Sequence, residues 1–81
     1  MTQLTLYGKP GCHLCEEARE VVLQVQRQRP FALEEVDITR DPALEALYRE
    51  RIPVVAIDGQ EALELVIEAT ELERCLASMQ T

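Results

Sequence analysis

Tryptophan is missing and aromatic side chains are scarce: Tyr7, Phe31 and Tyr48 are the whole set in 81 residues. A core must therefore be built from Leu, Val, Ile and Ala. Basic residues are also short, with 8 Lys and Arg against 15 Asp and Glu, a formal net charge of −7. Phosphate contacts need a clustered basic face, so this balance argues against a nucleic-acid binder. It also disfavours anionic membranes and acidic partners. No apolar run approaches the roughly 20 residues of a membrane span. The start, MTQLTLYGKP, lacks a basic region ahead of its apolar residues, and Gly8 interrupts them, so no secretory leader is expected. Cytoplasmic residence is the default expectation. In that compartment structural disulfides are rare, and a close cysteine pair is more often redox-active or metal-binding.

What is present fits one small domain over residues 1–81, with a 47% hydrophobic content that is ordinary for a globular chain. QLTLY (3–7) alternates and ends at Gly8, Pro10 and Gly11, which suits a short strand and a turn. From Cys12 or His13 to about Gln28, Leu14, Ala18, Val21, Val22 and Val25 recur at helical spacing. Acidic residues open that helix, Arg27 and Arg29 close it, and Pro30 stops it. FALEEVDI (31–38) reads as a second strand, parallel to the first through a βαβ crossover. Asp41-Pro42 is a helix start, continued by ALEALYRER (43–51) with Leu44, Leu47 and Tyr48 inward. IPVVAI (52–57), the turn Asp58-Gly59 and EALELVI (61–67) form an antiparallel hairpin. Thr70 and Glu73 have the spacing of a capping box, and Leu72, Cys75, Leu76 and Met79 line one face of a closing helix. The expected order is βαβαββα.

Chemistry concentrates in YGKPGCHLC (7–15), where Cys12 and Cys15 fall at the junction of the first strand and first helix. A helix N-terminus carries unpaired N–H groups and about half a positive charge, which stabilises a thiolate. A spacing of three residues brings the two sulfurs together over one turn. The loop-side thiol can then attack a disulfide and the helix-side thiol can resolve the mixed disulfide. A closed zinc site needs four ligands. The remaining candidates are Cys75, on an apolar helix face, and His13, wedged between the two cysteines. Cys75 reads as a small buried hydrophobe. His13 is either a solvated rim residue or an imidazole that favours a nearby thiolate, whereas Glu16 and Glu17 oppose one. An iron–sulfur cluster shared between two chains is a further use of the pair.

The strand, the Cys-x-x-Cys at a helix start and the later RIPVV (51–55) resemble the thioredoxin fold. Within it, Tyr7-Gly8-Lys9 with Cys12 three residues after the lysine resembles glutaredoxins. The resemblance implies an α/β, thioredoxin-like βαβαββα fold, a four-stranded mixed sheet flanked by three helices. It implies Cys12 as nucleophile, Cys15 as resolving thiol and Pro53 in a cis peptide bond opposite them. The Ile52 backbone would pair with substrate as an added strand. Lys9, His13, Leu14, Ile52 and Pro53 are the candidate substrate-binding residues. Two departures stand out. His13-Leu14 replaces the Pro-Tyr of dithiol glutaredoxins, and IEATELE (67–73) has no glycine pair for glutathione. The expected activity is thiol–disulfide exchange on protein disulfides or glutathione mixed disulfides. No cofactor is implied, glutathione is a possible co-substrate, and glutathione or a reductase would supply electrons to a monomer. A non-catalytic binding module of the same fold and a dimeric iron–sulfur carrier are the alternatives.

Overall fold

The computed structural model describes residues 2–79, without the side chain of Met79. Its elements are β1 (Gln3–Gly8), α1 (His13–Gln28), β2 (Ala32–Asp37), α2 (Pro42–Tyr48), β3 (Val54–Ile57), β4 (Gln60–Glu64) and α3 (Ala69–Met79). A short 3-10 turn, Ile38–Arg40, links β2 to α2. The sheet order is β2-β1-β3-β4. β1 runs parallel to β2 and antiparallel to β3, and β3 pairs antiparallel with β4. This is the four-stranded mixed sheet with three helices that the sequence pattern and the resemblance implied.

Alternation along the central strands sends side chains to two cores. Leu4, Leu6, Val55 and Ile57 meet Ala18, Val22 and Val25 of α1 and Leu72 and Leu76 of α3 on one face. On the other face Val54 joins Ile38, Tyr48 and Ile52, with Tyr7 and Leu44 packed against them. The three aromatic residues divide between these clusters, Phe31 in the first and Tyr7 and Tyr48 in the second.

Local signals explain most element ends. Asp41 caps α2 by accepting from the backbone N–H groups of Ala43 at 2.9 Å and Leu44 at 3.4 Å, with Pro42 at the first helical position. Asp58 and Gly59 both take positive φ, 50° and 86°, as a two-residue hairpin turn demands. Arg29 closes α1 through its N–H to the Val25 carbonyl, just ahead of Pro30.

Several boundaries differ from the sequence reading. α2 stops at Tyr48 and does not reach residue 51, because the N–H groups of Arg51 and Ile52 both turn back to the Tyr48 carbonyl, at 2.8 and 3.1 Å. Leu47 consequently faces solvent on a helix too short to bury it. Leu14 is exposed as well; the buried position on the first turn of α1 belongs to Cys15. β4 ends at Glu64, since Leu65 adopts φ 68° and leaves the ladder. The expected capping box does not form: α3 begins at Ala69, the Leu72 N–H bonds to the Glu68 carbonyl, and Thr70 lies inside the first turn. Ile38 belongs to the 3-10 turn and not to β2. The expectation for Met79 concerns a side chain outside the described residues.

Leu72 has no exposed surface and sits where α3 meets the sheet core. Leu72→Ala is expected to destabilise the fold by about 2–5 kcal/mol, the range for a buried leucine truncated in a packed core. Urea denaturation of both proteins measures it.

Candidate functional site

Cys12 takes extended backbone angles, φ −86° and ψ 112°, and acts as the N-cap of α1. Its Sγ accepts the backbone N–H of Cys15 at 3.2 Å, so the sulfur occupies the place a serine or aspartate oxygen takes at an ordinary helix start. Cys12 and Cys15 are paired as a disulfide, with Cα atoms 5.2 Å apart. The two sulfurs differ in access. Cys12 is partly exposed, whereas Cys15 is buried among Ile38, Tyr48, Ile52 and Val54.

Gly8, the last residue of β1, makes this seat possible. A Cβ there would lie 3.1 Å from the Cys15 Sγ and 3.2 Å from its Cβ. Absence of a side chain lets the start of α1 close onto the end of the strand. Beside Cys15 opens a groove of about 270 Å³, lined among others by Gly8, Lys9, Glu16, Glu35 and Asp37. Arg19 Nε meets Glu35 Oε1 at 2.7 Å on its rim. Asp37 accepts from the Thr39 hydroxyl at 2.6 Å and the Thr39 N–H at 2.9 Å. Those two bonds, with Arg40 adding a weaker attraction, hold its carboxyl below the usual range.

The Ile52–Pro53 peptide bond is cis. Both residues are buried, and Ile52 shares a cluster with Cys15 and Cys12. The Ile52 N–H is engaged by Tyr48, so an incoming strand meets that donor already bonded. The Pro53 carbonyl accepts from Leu65 at 2.8 Å. Cys12, Cys15, Ile52 and Pro53 thus belong to one region, with Lys9 on the groove beside Cys15. His13 stays outside it: the ring is 85% exposed and its Nε2 meets Glu17 Oε2 at 3.0 Å, one turn along α1. Leu14, next to Cys15, presents its side chain to solvent. Among the described residues no three His, Cys, Asp or Glu side chains converge as a metal site.

A polar brace behind the cis bond has no counterpart in the sequence reading. The Tyr48 hydroxyl donates to Glu61 Oε2 at 3.0 Å, and Arg51 Nε donates to Glu64 Oε2 at 2.7 Å. Arg51 Nη2 also bonds Glu61, and the guanidinium lies 5.3 Å from the Tyr48 ring centre. Tyr7 and Tyr48 stack obliquely with centroids 4.7 Å apart. Burial, reinforced by Glu61, pushes the Tyr48 hydroxyl above its usual value. Bonds from Arg51 first and Tyr48 second hold the Glu61 carboxyl below the usual range. These partners are 10 and 13 residues apart in sequence, beyond the reach of any local periodicity. Gly8 was more legible, since a glycine closing an alternating strand often marks close backbone approach.

The profile of the glutaredoxin-like domain family (DUF836) matches residues 3–77. The chain belongs to this family. A structural-genomics target from X. campestris solved by X-ray diffraction is 38% identical, with TM-score 0.80, covering 93% of this chain and 96% of that one. A mutant thioredoxin from Halobacterium salinarum is 23% identical with TM-score 0.72, covering 95% of this chain and 73% of that one, a likeness of fold. An uncharacterized Mycobacterium tuberculosis protein is 30% identical over an alignment of 64 positions that covers 73% of this chain and 66% of that protein. The glutaredoxin-like chain therefore spans about two thirds of that relative. No helix of the described residues is long and apolar enough to cross a membrane.

Two outcomes are expected. Gly8→Ala forces Cys15 outward, slowing closure of the Cys12–Cys15 disulfide and destabilising the oxidised protein by about 1–3 kcal/mol, as overpacking does; thermal unfolding and oxidation kinetics read both. Glu61, with its folded-state value depressed below 4.5, contributes stability that is present above 4.5 and lost as pH falls through the lower folded value. Glu61→Gln removes that contribution, so the urea midpoint of the variant varies less with pH below about 4.5.

Proposed function

We propose that this glutaredoxin-like protein is a thiol–disulfide oxidoreductase that reduces protein disulfides or glutathione mixed disulfides. The observation that carries the reading is the asymmetry of the pair, an accessible Cys12 capping a helix and a buried Cys15 seated behind it. In the reduced protein the Cys15 N–H and the helix N-terminus favour negative charge on Cys12 Sγ. That thiolate attacks one sulfur of the substrate disulfide. The substrate S–S bond breaks, a Cys12–substrate bond forms, and the first substrate sulfur leaves with the electron pair and takes up a proton. Cys15 then loses its proton and attacks Cys12 Sγ, releasing the second substrate sulfur. Two electrons have moved, two substrate thiols are formed, and the Cys12–Cys15 disulfide remains.

Electrons are carried by the sulfurs, so the cycle needs no organic cofactor. A thiol reductant, glutathione or the dithiol of a reductase, restores the pair. Lys9, beside the groove, offers a cation to an anionic substrate. Ile52 and Pro53, buried beside the pair, hold the chain edge that an extended substrate approaches. His13, bonded to Glu17, has a solvent role at the rim, and Leu14 adds exposed apolar surface next to the pair. This chemistry suits the reducing cytosol, and one copy of the domain contains every group it uses.

Cys12→Ser is expected to abolish turnover of a disulfide substrate, whereas Cys15→Ser still forms a mixed disulfide with it and stalls there. Mass spectrometry of the trapped adduct, beside assays coupled to glutathione and to a dithiol reductase, checks both. Absence of turnover in both assays with wild-type thiols reduced would refute the reading.

A further inference from the structure

Leu65 is the one bulky side chain among the described residues at positive φ; Asp58 and two glycines hold the others. L residues of this size seldom enter the left-handed region, and a glycine would make the same turn without steric conflict. The conformation is imposed from both sides. The Leu65 N–H bonds to the Pro53 carbonyl at 2.8 Å, and Glu64 before it is clamped by Arg51. Ile67 after it is anchored in the core. Between these anchors the two side chains have nowhere to go but outward: Leu65 is 45% and Val66 64% exposed. Two adjacent apolar side chains are thus held out where the chain is tied to the carbonyl of Pro53, the residue whose cis bond follows Ile52 in the cluster that holds Cys12 and Cys15.

The surrounding charge narrows what can lie there. Residues 64–73 contain Glu64, Glu68, Glu71 and Glu73 and no Lys or Arg. Only Glu64 has Arg51 opposite it as a partner. A disulfide bearing several carboxylates, such as oxidised glutathione, meets like charge at this rim. A neutral or basic polypeptide meets apolar surface with a complementary border. We infer that Leu65 and Val66 form a specificity subsite that selects polypeptide disulfides with a large apolar residue next to the reacting cysteine. This inference rests on the oxidoreductase reading and names its substrate class.

Single-turnover kinetics with the full-length reduced protein test it without any external reductant. The probes are a neutral peptide mixed disulfide with Leu beside the cysteine, the same peptide with Ala there, and oxidised glutathione. The readout is the second-order rate of peptide thiol release. The Leu peptide should react about tenfold faster than the Ala peptide, the scale on which an apolar pocket discriminates a few methylenes. It should also outrun oxidised glutathione. In Leu65→Gly/Val66→Ser the Leu-to-Ala ratio should fall to within about twofold of unity. Glycine fits the backbone at Leu65, so folding is preserved there, and Val66→Ser alone gives an independent reading of the same ratio. A wild-type ratio near unity, a ratio unchanged in both variants, or oxidised glutathione reacting fastest would overturn the subsite and leave the oxidoreductase standing. No thiol release from any of the three disulfides would remove both.

Discussion

Everything around the disulfide hangs on Tyr48. Its carbonyl ends α2 by accepting from Arg51 and Ile52 together, which delivers the chain to the cis bond in the orientation that β3 requires. Its ring fills the second core against Tyr7, Ile52 and Cys15. Its hydroxyl reaches Glu61 on β4, where Arg51 closes the circuit. One residue therefore joins a helix end, the floor beneath Cys15 and the outer strand. In a chain with three aromatic residues, placing two of them in face contact at this point concentrates the largest rigid side chains where position matters most. The polar ring around Tyr48 sits at its rim, so its ionic members remain hydrated and act chiefly as geometric restraints.

The cysteine pair shows how a fold can make two identical side chains chemically unequal. Cys12 lies ahead of α1, open to solvent and facing a backbone N–H, whereas Cys15 lies one turn inside, against a glycine and four apolar side chains.

Short-range patterns made much of this legible. The alternation of QLTLY, the caps at Asp41-Pro42 and the turn at Asp58-Gly59 each carry their physical cause within a few residues, and the structure has them at those positions. The two cysteines likewise fall at the junction of the first strand and first helix, where Cys12 caps α1. Where the pattern failed, a distant partner had intervened. β4 reads as continuous apolar alternation through Ile67, but the Pro53 carbonyl captures Leu65 and rotates it out of the ladder. ALEALYRER has helical composition to its end, yet the need to approach Pro53 closes α2 early. Thr70 and Glu73 have the right spacing for a cap but stand two residues too late, because Glu68 already serves the helix start. The brace of Tyr48, Arg51, Glu61 and Glu64 joins residues from two hairpin-separated segments, which no periodicity encodes.

The sheet order has a consequence for how copies of this protein meet. β2 and β4 are the outer strands, and each carries its own carboxylates: Glu34, Glu35 and Asp37 on β2, Glu61 and Glu64 on β4. Arg19 faces Glu35 and Arg51 faces Glu61 and Glu64, so both borders carry hydrated ion pairs that a second sheet would have to strip. The residue Ala62 bulges from the β4 ladder and further interrupts a flat border. Backbone groups that would otherwise template sheet growth are thus fenced by charged side chains and a bulge. The same device that breaks the ladder, one extra residue at Ala62, also makes the β4 border a poor template for another strand.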